Sequence, residues 1–184
     1  MHHKLLKLLL LIVALSMGSP CVAQRVALKS NVIDWLLISP NLSMEARISP
    51  RITLDFGVAV NPFDKIPYGS DIKLRNFRIN PEVRYWFNRP MAKHFVGFAL
   101  SGGSYNLELK EHCYNGDFFA AGFTYGYALV LSKYWNVEFT AGIGLAKLHG
   151  FDYRKDEEKP YEPNNHKWIP VPIRAGVTFS YMLH

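Results

Sequence analysis

The sequence predicts an all-β fold: an eight-stranded antiparallel transmembrane up-and-down β-barrel. In the stretch Trp135-Asn-Val-Glu-Phe-Thr-Ala-Gly-Ile-Gly-Leu145, apolar Trp135, Val137, Phe139, Ala141, Ile143 and Leu145 alternate with Asn136, Glu138, Thr140, Gly142 and Gly144. Period two marks a strand. Half-buried strands of soluble sheets run about 5 or 6 residues, whereas a tilted strand crossing a bilayer needs about 9 to 11, and this alternation has the second length. Seven further segments alternate, with short connections after strands two, four and six and longer ones after one, three, five and seven. Bacterial outer-membrane barrels show that asymmetry, with short periplasmic turns and longer external loops, which puts both termini on the periplasmic side.

The N-terminus predicts export. Basic Met1-His-His-Lys-Leu-Leu-Lys7, the apolar run Leu8 to Leu15 and the break at Ser16 to Pro20 lead to Cys21-Val22-Ala23, which makes residues 1–23 a signal peptide and 24–184 the barrel domain. The apolar run is about half the roughly 20 residues of a membrane helix. Lipidation at Cys21 is the rival reading, and it fits poorly because Pro20 precedes the cysteine and no Leu stands three positions ahead. Cleavage leaves Cys113 alone, so no internal disulfide is expected.

Strand one is expected over Arg25–Ile33, with Val26, Leu28 and Val32 outward and Ala27, Lys29 and Asn31 inward; Asp34 to Pro40 is read as a connection. Strand two, Asn41–Ile48, sets Leu42, Met44, Ala46 and Ile48 against Ser43, Glu45 and Arg47. Ser49-Pro50 is a turn, since proline fixes φ and offers no N–H to a ladder. Strand three, Arg51–Val60, points Thr53, Asp55, Gly57 and Ala59 inward. Asn61 to Leu74 breaks every period and reads as a long loop. Strand four, Arg75–Phe87, turns Arg78, Asn80, Glu82, Arg84 and Trp86 inward, and Pro81 within it predicts a bulge or local irregularity. Strand five covers Lys93–Tyr105, with its faces ambiguous at Gly102-Gly103. Asn106 to Gly116, carrying His112 and Cys113, reads as a polar connection. Strand six, Asp117–Leu131, is large outside (Phe119, Phe123, Tyr125, Tyr127) and small inside (Ala120, Gly122, Thr124, Gly126, Ala128), as a narrow barrel requires. Strand seven opens at Trp135 and continues to about His149. Gly150 to Lys167 is the longest loop, and strand eight runs Trp168–Leu183 with Ile169, Val171, Ile173, Ala175, Val177, Phe179, Tyr181 and Leu183 outward.

The net charge of +6 invites a nucleic-acid reading, but the positive residues lie at the far N-terminus and at alternate strand positions rather than in a block. Aromatic residues make up 14% of the chain, which suits interface girdles. The alternative barrel, a soluble lipocalin-like one, would invert the polarity and bury the bulky set. Strand length and loop asymmetry favour the membrane. The inward set then places Lys29, Glu45, Arg47, Asp55, Arg78, Glu82, Arg84, Glu138 and Arg174 in the lumen, where an eight-stranded barrel has room for little except side chains. An unpaired buried charge is heavily penalised, so these residues are expected to form a closing network of ion pairs rather than a pore.

Ala27-Leu-Lys-Ser-Asn31, Ser39-Pro-Asn-Leu42, Asn61-Pro62, Asn80-Pro-Glu-Val-Arg-Tyr-Trp86, Gly102-Gly-Ser-Tyr-Asn106, Gly122-Phe-Thr-Tyr-Gly-Tyr127 and Leu131-Ser-Lys-Tyr-Trp-Asn136 together resemble domain-of-unknown-function family 3575, small exported proteins of Bacteroidetes, across the whole mature chain. The resemblance implies an outer-membrane β-barrel. Some members lie near genes for fimbrial proteins, and no catalytic residue comes with the resemblance. The C-terminal Leu183-His184 departs from the terminal aromatic usual in outer-membrane barrels.

The functional expectation is a non-catalytic barrel in the cell outer membrane, with lipid around it, a surface or fimbrial protein or a glycan as candidate partner at its external loops, no nucleic acid and no cofactor. The alternative is a lipid A-modifying enzyme working through a loop histidine, for which His112, His149 and His166 fall on the external side. No Ser or carboxylate stands at a spacing that forces a triad, and no ligand spacing joins the histidines and Cys113 into a metal site.

Overall fold

The computed structural model describes residues 25–62, 73–109, 112–154, 156 and 160–183. The expected signal peptide, the centre of the Asn61 to Leu74 loop and His184 lie outside them. Eight strands follow one another around a closed antiparallel ring: β1 (Val26–Asn31), β2 (Asn41–Arg47), β3 (Ile52–Asn61), β4 (Lys73–Trp86), β5 (Lys93–Leu109), β6 (His112–Val130), β7 (Trp135–Arg154) and β8 (Asn165–Leu183). β1 closes the ring on β8, from Val26↔Leu183 to Asn31↔Thr178. Among the described residues no helix is long and apolar enough to cross a membrane.

Where the sequence alternates, the faces follow it. Leu28, Met44, Phe56, Val83, Phe98, Phe123, Phe139 and Phe179, one from each strand, are exposed on the outside. Their neighbours Lys29, Glu45, Asp55, Glu82, Ala99, Thr124, Glu138 and Ser180 are buried inside. Strand five resolves with Phe95, Gly97, Ala99 and Ser101 inward. Gly97 is required there, because a Cβ would meet Glu82 Oε1 and Thr124 Oγ1.

At Pro81 the irregularity is local and without a bulge: β3 and β4 stay in register through Phe56↔Pro81, while the β4–β5 ladder is interrupted at Asn80 and Pro81 and resumes at Glu82↔Ala99 in the register of Ile79↔Gly102. Four other expectations need correction. The ladder is shifted on β7 and β8, between Gly142↔Arg174 and Gly144↔Val171. That extra residue reverses the parity of the upper part of β8. Ile169 and Val171, expected outward, lie opposite the inward Ala146 and Gly144, and Ile173 Cγ2 is 3.1 Å from where an inward Cβ on Gly142 would sit.

The Asn106 to Gly116 segment is not a loop, since β5 and β6 stay paired out to Leu109↔His112. β7 likewise extends to Arg154 and β8 begins at Asn165. The long-strand end of the barrel therefore projects as two hairpins beyond the apolar belt.

Finally, the connection after strand one contains a short helix, α1 (Val32–Leu36), capped by Asn31, whose side chain accepts from the Ile33 N–H at 3.1 Å. Asn41 clamps its base: Asn31 N–H donates to Asn41 Oδ1 at 2.7 Å and Asn41 Nδ2 donates to Asn31 O at 2.8 Å, which continues the β1–β2 ladder with a side chain.

Candidate functional site

The lumen is filled in layers. At the short-turn end Trp86, Phe95, Met91, Ala27 and Ala128 pack with Met182 into an apolar plug. Trp86 and Phe95 rings lie 4.6 Å apart, and Asn136 Nδ2 donates to Met91 O at 2.7 Å, drawing the β4–β5 turn into the barrel mouth. One step up β4, the Arg84 guanidinium lies 4.6 Å from the Phe95 ring centroid, so the plug meets the charged layer through a cation–π contact.

That layer joins six strands. Lys29 Nζ on β1 is 2.7 Å from Glu45 on β2, 2.7 Å from Glu138 on β7 and 3.4 Å from Asp55 on β3. Arg84 on β4 reaches Glu45 at 2.9 Å, Glu138 at 3.0 Å and Glu82 at 2.9 Å. Arg174 on β8 donates to Glu82 at 2.5 Å and to Asp55 at 3.1 Å. Burial of this kind is tolerated only when each charge is paired and its remaining lone pairs are satisfied. Hydroxyls complete the job: Thr53 donates to Glu45 at 2.5 Å, Thr140 to Glu138 at 2.9 Å, Ser43 to Asp55 at 3.4 Å, and Thr124 to Glu82. Trp86 Nε1 donates to Thr53 Oγ1 at 2.8 Å, so plug and cluster share one hydrogen-bonded chain.

Seven of the nine charged residues singled out from the sequence meet in this cluster: Lys29, Glu45, Asp55, Glu82, Arg84, Glu138 and Arg174. Two do not. Arg78 pairs with Asp34 of α1 at 2.8 Å, higher in the barrel, and half-buried Arg47 makes no ion pair with the described residues. The threonines and Asp34 were missed by sequence reasoning. Thr53, Thr124 and Thr140 lie on the inward face by alternation, but being uncharged they carried no other mark.

The family model described as protein of unknown function (DUF3575) matches residues 6–183. The chain belongs to that family. No curated protein and no solved structure matches it. In this DUF3575 chain the stretch Pro81-Glu-Val-Arg-Tyr-Trp86 supplies two cluster ions, Glu82 and Arg84, and the indole of the plug, while Tyr85 faces outward.

The histidines lie apart from the cluster. His94 Nδ1 is 2.6 Å from the Tyr125 hydroxyl on the outer wall, near the short-turn end. His149 and His166 are cross-strand partners on the upper outer wall, with ring centroids 4.6 Å apart at 87°. His112 Nδ1 is 3.6 Å from Asp152. Among the described residues no serine or threonine hydroxyl is hydrogen-bonded to any of these imidazoles, and no group of three His, Cys, Asp or Glu is placed to hold a metal ion.

Proposed function

We propose that this protein is a non-catalytic outer-membrane barrel that carries a closed lumen and uses its external hairpins and loops for recognition. The observation that carries the reading is the inverted polarity: an exposed apolar residue on each of eight strands outside, and a paired, buried charge cluster within. In water, an apolar belt of that extent would drive association, whereas in a bilayer it is the required lipid contact. Trp135 and Tyr181 at one end of the belt, with rings 5.1 Å apart, and Trp168 at the other furnish aromatic girdles.

A rigid barrel leaves its projecting ends free to vary, and those ends are where recognition resides. The upper β7–β8 hairpin carries fully exposed Tyr161 and an ordered base, in which Asn164 exchanges two 2.8 Å hydrogen bonds with the Asp152 backbone. A surface protein, such as a fimbrial subunit, or a glycan is the partner that this polar and aromatic end suits. The test is membrane fractionation with a heat-dependent gel shift, followed by crosslinking from Tyr161 in cells. Recovery in the soluble periplasmic fraction overturns the membrane placement. A change in lipid A mass that His149→Ala or His166→Ala abolishes would instead establish the enzymatic alternative.

A further inference from the structure

The barrel wall is incomplete on one side. β1 stops at Asn31↔Thr178, so among the described residues β8 from Asn165 to Val177 has no strand on its β1 edge. Strand edges are normally blunted or covered. Here Pro170 and Pro172 remove two N–H donors from the open stretch, and α1 leans across its base, with Asn31 Nδ2 donating to Ala175 O at 3.2 Å. A cavity of 280 Å³ occupies the gap. Its lining comes from both sides of the wall: outward-facing Leu42, Val58 and Ala175, with Leu37 just beyond α1, and inward-facing Arg78 and Arg174. Ala175 pairs with Ala141, midway along β7 between Trp135 and Lys147, so the gap opens from the middle of the belt toward the long-strand end.

The polar end of this cavity is built around Arg78. Its Nη2 is held by Asp34 at 2.8 Å, and its Nε is buried without a hydrogen-bond partner. A guanidinium carries five donors in a fork that fits an oxyanion, so one monodentate contact leaves it under-used. The apolar end is lined by Ile33, Leu37, Leu42 and Val58, and beside it Trp35 and Leu36 of α1 are more than half exposed.

We infer that this gap is a lateral portal that takes the anionic headgroup of an amphiphile from the surrounding outer leaflet, with Arg78 as the headgroup ligand and Asp34 as the carboxylate it displaces. The acyl chain stays outside, along Leu37, Leu42 and Val58. Exchange of partners at Arg78 frees α1 from its only ion pair to the barrel among the described residues, so occupancy and movement of α1 are coupled. The inference rests on the membrane placement proposed above, and the test separates the two.

The protein, inserted in phosphatidylcholine vesicles, is photolabelled with a single-chain alkyl phosphate that bears a diazirine at the tail end, and with the uncharged alcohol of the same length. Insertion is scored in the same vesicles by the heat-dependent gel shift. The expected result is saturable labelling by the phosphate at residues lining the gap, weakened about tenfold or more by Arg78→Gln and strengthened by Asp34→Asn, which removes the competing carboxylate. Ala175→Trp, which fills the gap and leaves every charge in place, abolishes the labelling. An inserted protein labelled equally by phosphate and alcohol overturns the portal, as does one in which Arg78→Gln and Asp34→Asn act in the same direction. A chain that does not insert overturns the membrane reading instead.

Discussion

Lys29 on the first strand and Glu138 on the seventh meet across the lumen at 2.7 Å, 109 residues apart in sequence. The pair belongs to a cluster of three cations, Lys29, Arg84 and Arg174, and four carboxylates, Glu45, Asp55, Glu82 and Glu138. Removing the cation leaves four negative charges facing two positive ones, whereas neutralising one acid leaves three facing three. Lys29→Met is therefore expected to cost about 3 to 5 kcal/mol, the range for breaking a buried pair, and Glu138→Gln clearly less. Denaturant unfolding in vesicles checks the order; equal losses would show that the local charge balance does not set the cost.

The outer face makes a separate demand. Ala141 is exposed midway along β7, and Arg in its place should cost about 2 to 4 kcal/mol in a bilayer, as a cation at the midplane does. Lys147→Arg, at the end of the belt, should change stability little. In an aqueous protein an exposed Ala141→Arg would be close to neutral, so the same titration reports which solvent the belt faces.

Thr53 links the plug to the cluster by accepting from Trp86 Nε1 and donating to Glu45. Thr53→Val keeps the shape and removes both bonds, leaving a buried donor and a buried carboxylate oxygen short of a partner. A loss of about 1 to 3 kcal/mol is expected, larger than for Thr53→Ser, which restores the hydroxyl.

Two glycines five residues apart on β5 should respond differently. A methyl at Gly97 runs into Glu82 and Thr124 inside the charged layer, while at Gly102 the nearest atoms are 3.8 Å and 4.0 Å away. Gly97→Ala is expected to destabilise by about 1 to 3 kcal/mol, as overpacking does, and Gly102→Ala to be neutral or slightly favourable. Comparable losses at both sites would mean that strand curvature, not the crowded lumen, requires glycine.

The parts legible in the sequence are those where the outer face and the lumen have opposite polarity at adjacent residues. That condition holds from Leu28 to Phe179 in the belt and made Lys29, Glu45, Asp55, Glu82, Arg84, Glu138 and Arg174 readable as one inward set. It fails above the belt. Between Asn106 and Gly116 the polar sequence shows no period of two, although β5 and β6 remain paired out to Leu109↔His112. It fails again at Ile169 and Val171, where a register shift beside Gly142 and Gly144 reverses the faces of an unbroken apolar alternation. Pro81 was readable only in part. The β4–β5 ladder is interrupted at Asn80 and Pro81 between two segments of one register, so the missing donor costs ladder contacts without displacing the strand. Asp34 was hidden because five helical residues are too few to show a period of 3.6.

The layered lumen also predicts electrical silence. In planar bilayers the intact protein should show no steady conductance, because the Trp86, Phe95 and Met91 plug closes one end and the cluster spans the middle. Trp86→Ala empties part of the plug but leaves Arg84 bridging Glu45, Glu82 and Glu138 just above it. That variant should lose stability and still not conduct. A channel is expected only when the charged layer is opened as well, as in Trp86→Ala combined with Arg84→Ala, provided that variant still inserts. Steady current through the Trp86→Ala protein would show that the apolar plug alone holds the lumen shut and that the ion pairs above it admit water.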